Sequence, residues 1–237
     1  MQTDYGRRAT REVETMRDCR SPQMVKPGPL GLNLVTIGGE KLLYFSEEFI
    51  DGPDLAKSLT DEGPLDFREV VRLGLDIADA IESLWSLNRI HRDIKPQNIM
   101  RGPGERGFVL LDAGLAFDPM GESLSAGFIV GTKIFFSPEQ WDYSNRRSLD
   151  QRSDMFALGV TMYMMLTGVH PFYSPGKDAR SLMTSILSHH PPAPSRARPG
   201  IPDLLDPIIM NLLKKSPHER FRTAAVLKRS LENIRIN

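Results

Sequence analysis

Residues 89–100, RIHRDIKPQNIM, constrain this chain more than any other stretch. Asp93, Lys95 and Asn98 stand within six positions of one another around a proline, so they must share one loop. An aspartate held there can orient a hydroxyl nucleophile and take its proton. The Asn98 amide oxygen is a hard donor suited to magnesium, and Lys95 can offset charge on a transferring phosphoryl group. From Gly107, the stretch GFVLLDAGLAF reads as a strand ending in a glycine turn, with Asp112, twelve residues past Met100, at the end of the strand. The set amounts to a base, a cation and two oxygen ligands, which is the equipment of phosphoryl transfer.

The rest of the chain has the size and patterning to hold such a loop rigidly. Its 237 residues suffice for one large domain or two small ones. Thirty basic and thirty acidic residues cancel, which argues against a nucleic-acid footprint. A single cysteine, Cys19, excludes an internal disulfide and fits a reducing compartment. The N-terminus is polar, and the longest apolar run, at 155–166, is too short to span a bilayer. The expectation is a soluble, cytoplasmic chain without nucleic-acid or membrane partners.

Along the chain, residues 8–20 read as a short amphipathic helix carrying Val13 and Met16. Residues 32–50 read as two strands joined at Gly38-Gly39. A short helix follows from Asp54. Asp66 and Glu69 form an acidic capping box before a helix whose Leu73, Ile77, Ile81 and Leu84 make one stripe. From about residue 150 the pattern is helix and loop only. Gly52 marks a boundary between a small first unit, 1–52, and a larger second one, 53–237. His91 is expected to be a packed structural residue, and His170, His189, His190 and His218 surface or loop residues. Met162, Met164 and Met165 are expected to fill core.

The motifs, in this order, resemble the catalytic domains of Hanks-type protein kinases, most closely the bacterial serine/threonine type, over nearly the full chain. HRDIKPQN is similar to the catalytic loop, DAG to the family's DFG, GTKIFFSPE to the close of the activation segment, and SDMFALG to the central helix that anchors the loop through Asp154. The resemblance implies an α+β protein-kinase-like fold with a truncated N-terminal lobe (one helix and about two strands) and a complete, mainly helical C-terminal lobe. It implies ATP and Mg2+ as cofactors and a protein Ser/Thr hydroxyl as acceptor. Asp93, Lys95, Asn98, Asp112 and Thr132 are the implied catalytic residues, with Asn98 and Asp112 the metal ligands. Glu12, Glu48, Ile50 and Asp54 join Lys95, Asn98 and Asp112 as implied nucleotide-binding positions: Glu12 on the first helix, Glu48 and Ile50 on the hinge, Asp54 at the ribose. Glu139 is expected to pair with Arg220. Arg92, with Ser123 or Ser125, suggests a phosphorylated activation segment.

The sequence departs from the family in several places. A Gly-rich strand turn and a strand lysine precede the first helix in the family and have no counterpart here; Lys26 and Lys41 both follow Glu12. Ala113 replaces the phenylalanine of DFG, and Glu47 stands at the usually apolar gatekeeper position. An acid there is costly unless paired or hydrated. The expectation is therefore a serine/threonine kinase that binds ATP weakly, with a hairpin edge that another chain could cover. The alternatives are a pseudokinase kept as an interaction module and a small-molecule phosphotransferase; Lys95, Thr132 and the SPE segment count against the latter.

Overall fold

In the computed structural model, residues 4–112, 133–142 and 149–234 are described. The first helix, α1 (Asp4–Asp18), starts earlier than the periodicity indicates. Its inward stripe is Ala9, Glu12, Val13 and Met16, all buried. Glu12 thus occupies a core-facing position on an otherwise apolar stripe. The end of α1 docks onto a later helix through Ser83, whose Oγ accepts from the N–H groups of Arg20 (2.9 Å) and Ser21 (3.2 Å).

Strands β1 (Asn33–Ile37) and β2 (Glu40–Tyr44) form an antiparallel hairpin, with Val35 opposite Leu42. Gly38 and Gly39 have φ of 60° and 87°, the left-handed pair that a two-residue turn requires. Every residue of both strands is exposed. Val35, Ile37, Leu42 and Tyr44 share one face and Leu34 and Leu43 the other, so neither side is covered among the described residues.

Residues 23–28 run as an extended connector. Leu110 donates to the Gln23 carbonyl (2.7 Å) and Val25 to the Leu110 carbonyl (2.9 Å); farther on, Gly28 donates to Ser46 (2.7 Å) and Glu48 to Lys26 (2.9 Å). This one segment fixes the chain at 46–48 relative to Leu110. Gly52 then passes so close to the Arg101 carbonyl that a Cβ would stand 2.0 Å from it, so only glycine fits.

The larger part is helical. Asp54 caps α2 (Leu55–Glu62), and Asp66 caps α3 (Phe67–Ser86) through the Arg68 N–H at 2.9 Å. The capping box expected at Asp66 is not completed by Glu69. Its carboxylate lies 2.8 Å from Arg101 instead, an ion pair with a residue distant in sequence that no local rule foresees. Short strands β3 (Ile99–Arg101) and β4 (Phe108–Leu110) pair antiparallel with Ile99 opposite Leu110. Helix α4 (Gln151–Thr167) is buried along almost its whole surface, and Gly168 closes it in the left-handed conformation. Helices α5 (Ala179–Ser188), α6 (Pro194–Ala197), α7 (Asp206–Leu212) and α8 (Ala224–Glu232) complete the chain. The stripe Leu73, Ile77, Ile81 and Leu84 lies in the core beside Met162 and Met165, while Met164 packs at its margin. Each such side chain contributes roughly 1.5–3 kcal/mol of hydrophobic stabilisation.

His170 departs from the surface role expected for it. Its Nδ1 accepts from the N–H groups of Phe172 (3.1 Å) and Tyr173 (3.0 Å), and its ring packs edge-on to Phe135, Phe172 and Tyr173. Burial pushes its pKa down to about 4.

Candidate active site

The catalytic-loop sequence is held from below by α4. Asp154 is buried, and its carboxylate accepts from the backbone N–H of His91 (2.7 Å) and of Arg92 (2.8 Å). Burial raises the Asp154 pKa, against the pull of His91 and those backbone donors. Arg92 takes a positive φ of 69°, which a non-glycine residue adopts only under such constraint. His91 is the packed residue expected: Nε2–H donates to the Leu111 carbonyl at 2.9 Å, which leaves Nδ1 to accept, at 3.4 Å, from the Asp93 N–H.

These contacts fix Asp93. Its Oδ2 accepts from Lys95 Nζ at 2.7 Å and from Asn98 Nδ2 at 2.9 Å. Its Oδ1 is buried and has no partner among the described residues. Asn98 Nδ2 also donates to the Asp93 carbonyl at 2.9 Å, so the amide's carbonyl oxygen is the end left for a ligand. The Leu111 N–H donates to the Asn98 carbonyl at 2.8 Å, which sets Asn98 and Asp112 on neighbouring ends of the β3–β4 pair. Two hard oxygen donors on adjoining strand ends suit magnesium. Asp112 itself has φ of 57°.

Glu12 is brought to the same place from α1. Oxygens of Glu12, Glu47 and Asp112 lie within 4.8 Å of one another. Glu12 is 2% exposed, and its carboxyl shares a hydrogen bond with Asp112. Burial, then the Asp112 charge and that hydrogen bond, then the Glu47 charge, push its pKa up to about 8. Burial and the Asp112 and Glu48 charges raise that of Glu47 as well. Among the described residues Glu47, expected at the gatekeeper position, forms no ion pair; it faces other carboxylates.

The remaining implied positions divide. Ile50 is buried. The Glu48 carboxylate is spanned by Arg106, Nη1 and Nη2 each at 2.7 Å, and this guanidinium holds its pKa below the usual carboxylate range. Asp54 Oδ1 accepts from the Lys57 N–H at 2.8 Å, so that oxygen caps α2. Thr132, Ala113, Ser123 and Ser125 lie outside the described residues. Glu139 and Arg220 form the expected pair, with contacts of 2.7 and 2.8 Å, and Arg220 also donates to the carbonyls of Arg152, Lys214 and Lys215. Burial alone would raise the Glu139 pKa, but the guanidinium outweighs it and lowers it. Sequence reasoning passed over Arg106, which carries no motif. It did flag the two signals for the acidic cluster: a helix glutamate without its lysine and an acid at the gatekeeper position.

The fold and this loop define a protein kinase core, and comparison with known proteins agrees: residues 1–231 match the protein kinase domain family, to which the chain belongs. It is 36% identical over 202 residues to the serine/threonine-protein kinase pkn3 of Myxococcus xanthus, covering 81% of this chain and 36% of that protein. It is 32% identical to the serine/threonine-protein kinase PknE of Mycobacterium tuberculosis (strain H37Rv), covering 94% of this chain and 37% of that one. The chain thus spans just over a third of these relatives' length. The PknI kinase domain of M. tuberculosis shares the fold with a TM-score of 0.67 at 22% identity, over 97% of this chain and 79% of that one. A reduced N-terminal lobe and a mainly helical C-terminal lobe are as expected. Among the described residues, no helix is long and apolar enough to cross a membrane.

Proposed function

We propose that the chain is a serine/threonine protein kinase catalytic domain, transferring the γ-phosphoryl group of ATP to a protein Ser or Thr hydroxyl. One observation carries this reading: Asp93 has one oxygen locked by Lys95 and Asn98, while the other is buried and unpartnered. A buried acceptor without a donor is costly. An incoming hydroxyl satisfies it and is oriented by it, and the proton passes to Asp93 as the hydroxyl oxygen bonds to phosphorus and ADP leaves. Lys95, on the same carboxylate, faces the charge that develops on the phosphoryl oxygens. Asn98 and Asp112 would hold magnesium, which neutralises phosphate charge when bound. Glu48 and Ile50 would border the adenine, Asp54 the ribose, and Thr132 the catalytic loop. Residues 1–52 and 53–237 serve as the two lobes, and the reading places the protein in the cytoplasm.

A second reading has its own support. Both faces of the β1–β2 hairpin expose large apolar side chains, and among the described residues Glu12 faces carboxylates and forms no ion pair. A pseudokinase that docks a partner chain on the hairpin would show both features. Transfer of labelled γ-phosphate to a Ser/Thr protein substrate, parent chain against Asp93→Asn, separates the two. Transfer that depends on Asp93 supports the kinase; no transfer by the parent chain, with Mg-ATP in excess, favours the interaction module.

A further inference from the structure

We propose that Arg106 is a positioning residue for nucleotide: through the Glu48 carboxylate it holds the 48–53 stretch in register with the metal-binding end of the β3–β4 hairpin. The inference rests on the kinase reading above, in which Glu48 and Ile50 border the adenine and Asn98 and Asp112 hold magnesium.

One hairpin fastens the 48–53 stretch at both of its ends. Arg106 lies in the turn between β3 and β4. Its Nη1 and Nη2 each stand 2.7 Å from a different oxygen of Glu48, a two-bond fork that fixes direction as well as distance. At the other end of the stretch, the Arg101 N–H of β3 donates to the Pro53 carbonyl at 3.0 Å, and Gly52 lies against the Arg101 carbonyl. Between these fastenings, no hydrogen bond among the described residues takes up the Glu48 carbonyl or the Ile50 N–H. Adenine presents an N–H donor beside a ring-nitrogen acceptor, which a free carbonyl and a free N–H can meet.

Arg106 is itself anchored to the larger part of the chain. The Arg72 guanidinium donates to the Glu105 carbonyl and the Phe108 N–H donates to Asp76 at 2.8 Å, so α3 grips the turn on both sides of Arg106. Arg106 also reaches the connector: its Nη2 donates to the Pro22 carbonyl, and Gln23 Nε2 donates to the Arg106 carbonyl, both at 3.3 Å. The remaining Glu48 contact, from the Lys26 N–H at 2.8 Å, comes from that same connector. The opposite ends of the hairpin lead to Asn98 and Asp112. A nucleotide has a fixed reach from base to phosphates. A shift at Glu48 therefore takes the base off its site or the phosphates off their metal ligands. A partly exposed ion pair contributes little to stability by itself. One that sets the distance between two ends of a ligand's site acts on binding instead.

The test measures binding, not turnover, on the 237-residue chain. Equilibrium dialysis with labelled Mg-ATP gives nucleotide affinity, and magnesium tripolyphosphate as competitor reports the phosphate end alone. Arg106→Gln is expected to weaken ATP about tenfold and to leave tripolyphosphate within about twofold of the parent. Glu48→Gln should do the same, and the double variant should bind ATP no more weakly than either single one. Arg106→Lys, which keeps the charge and one bond, should fall between parent and Arg106→Gln. Glu69→Gln breaks the ion pair that this hairpin makes through Arg101 and should bind ATP as the parent does. Circular dichroism reports folding, and if Arg106→Gln does not fold, Glu48→Gln carries the test. Parental ATP affinity in the folded Arg106→Gln or Glu48→Gln chain would overturn the proposal. So would an equal loss of tripolyphosphate, or an equal loss of ATP in Glu69→Gln, since either means general loosening. A parent chain that binds ATP without phosphotransfer defeats the kinase reading and leaves this one standing. A parent that transfers phosphate, with Arg106→Gln binding ATP equally well, defeats this one alone. A parent that binds no ATP at millimolar concentration overturns both.

Discussion

Lys95 Nζ stands 2.7 Å from Asp93 Oδ2, and this contact divides the Asp93 carboxylate into a tethered oxygen and a free one. In Asp93→Asn the volume is kept and the proton acceptor is lost. Phosphotransfer to a protein substrate is expected to fall by about two to four orders of magnitude. Far-UV circular dichroism and the melting temperature should stay close to the parent's. Equal rates in a labelled-phosphate assay would remove Asp93 from the mechanism.

Asp154 is predicted to act at one remove. It touches no reacting group, but it holds the backbone of His91 and Arg92. In Asp154→Ala two N–H groups lose their acceptor, each worth about 1–3 kcal/mol when buried and unsatisfied. Asp154→Asn keeps one acceptor oxygen. Urea unfolding should therefore rank the parent above Asn and Asn above Ala, and activity should follow the same order. An alanine variant as stable as the parent would show that the loop has another anchor.

Arg220 has no exposed side-chain surface and sits on Glu139 with every guanidinium nitrogen engaged. Arg220→Met leaves the half-buried Glu139 carboxylate with only the Ser153 hydroxyl of its present partners, and a loss of about 3 kcal/mol is expected. The double variant with Glu139→Gln should recover part of this loss. Additive losses in that double-mutant cycle would mean that the two residues are not energetically coupled.

His170 sets a pH dependence. Its folded pKa is about 4 against an ordinary 6.5. Between those values the unfolded chain binds a proton that the folded chain does not, so stability is full above 6.5 and is lost as the pH falls toward 4. His170→Asn offers an amide oxygen to the Phe172 and Tyr173 N–H groups without titrating. The stability lost on going from pH 7 to about pH 4.5 should be smaller in this variant by about 2 kcal/mol. Parallel pH profiles for variant and parent would refute the assignment.

The hairpin is expected to tolerate charge. Ile37 is 61% exposed and Leu34 60%, so Leu34→Lys with Ile37→Lys removes little burial. Unfolding free energy should change by no more than about 0.5 kcal/mol. If these faces recruit another chain, sedimentation at high concentration should show less self-association in the variant. A large loss of stability would show that the hairpin is covered in solution.

Much of this molecule is written locally. The catalytic loop, the DAG aspartate, the hairpin turn at Gly38-Gly39, and the Asp54 and Asp66 caps follow from residue type and short spacing, which act over a few positions. The stripe of α3 and the burial of Val13 and Met16 follow from helical periodicity. The Glu139–Arg220 pair was legible only through the family likeness, because 81 residues separate the partners.

Tertiary structure decided what depends on partners distant in the chain. Glu69 turned to Arg101 instead of closing its capping box, Arg106 took the Glu48 carboxylate, and His170 was drawn among aromatic rings. The three-residue strand β3 exists only because β4 pairs with it; alone it has too few residues to show a period. The convergence of Glu12, Glu47 and Asp112 is the clearest case. The sequence marks Glu12 and Glu47 as departures one at a time, but their mutual repulsion with Asp112 arises only when α1, the 23–28 connector and β4 pack together. Sequence specified which residues carry charge; the fold set their separations and their exclusion from water, on which Coulomb energy and proton affinity depend.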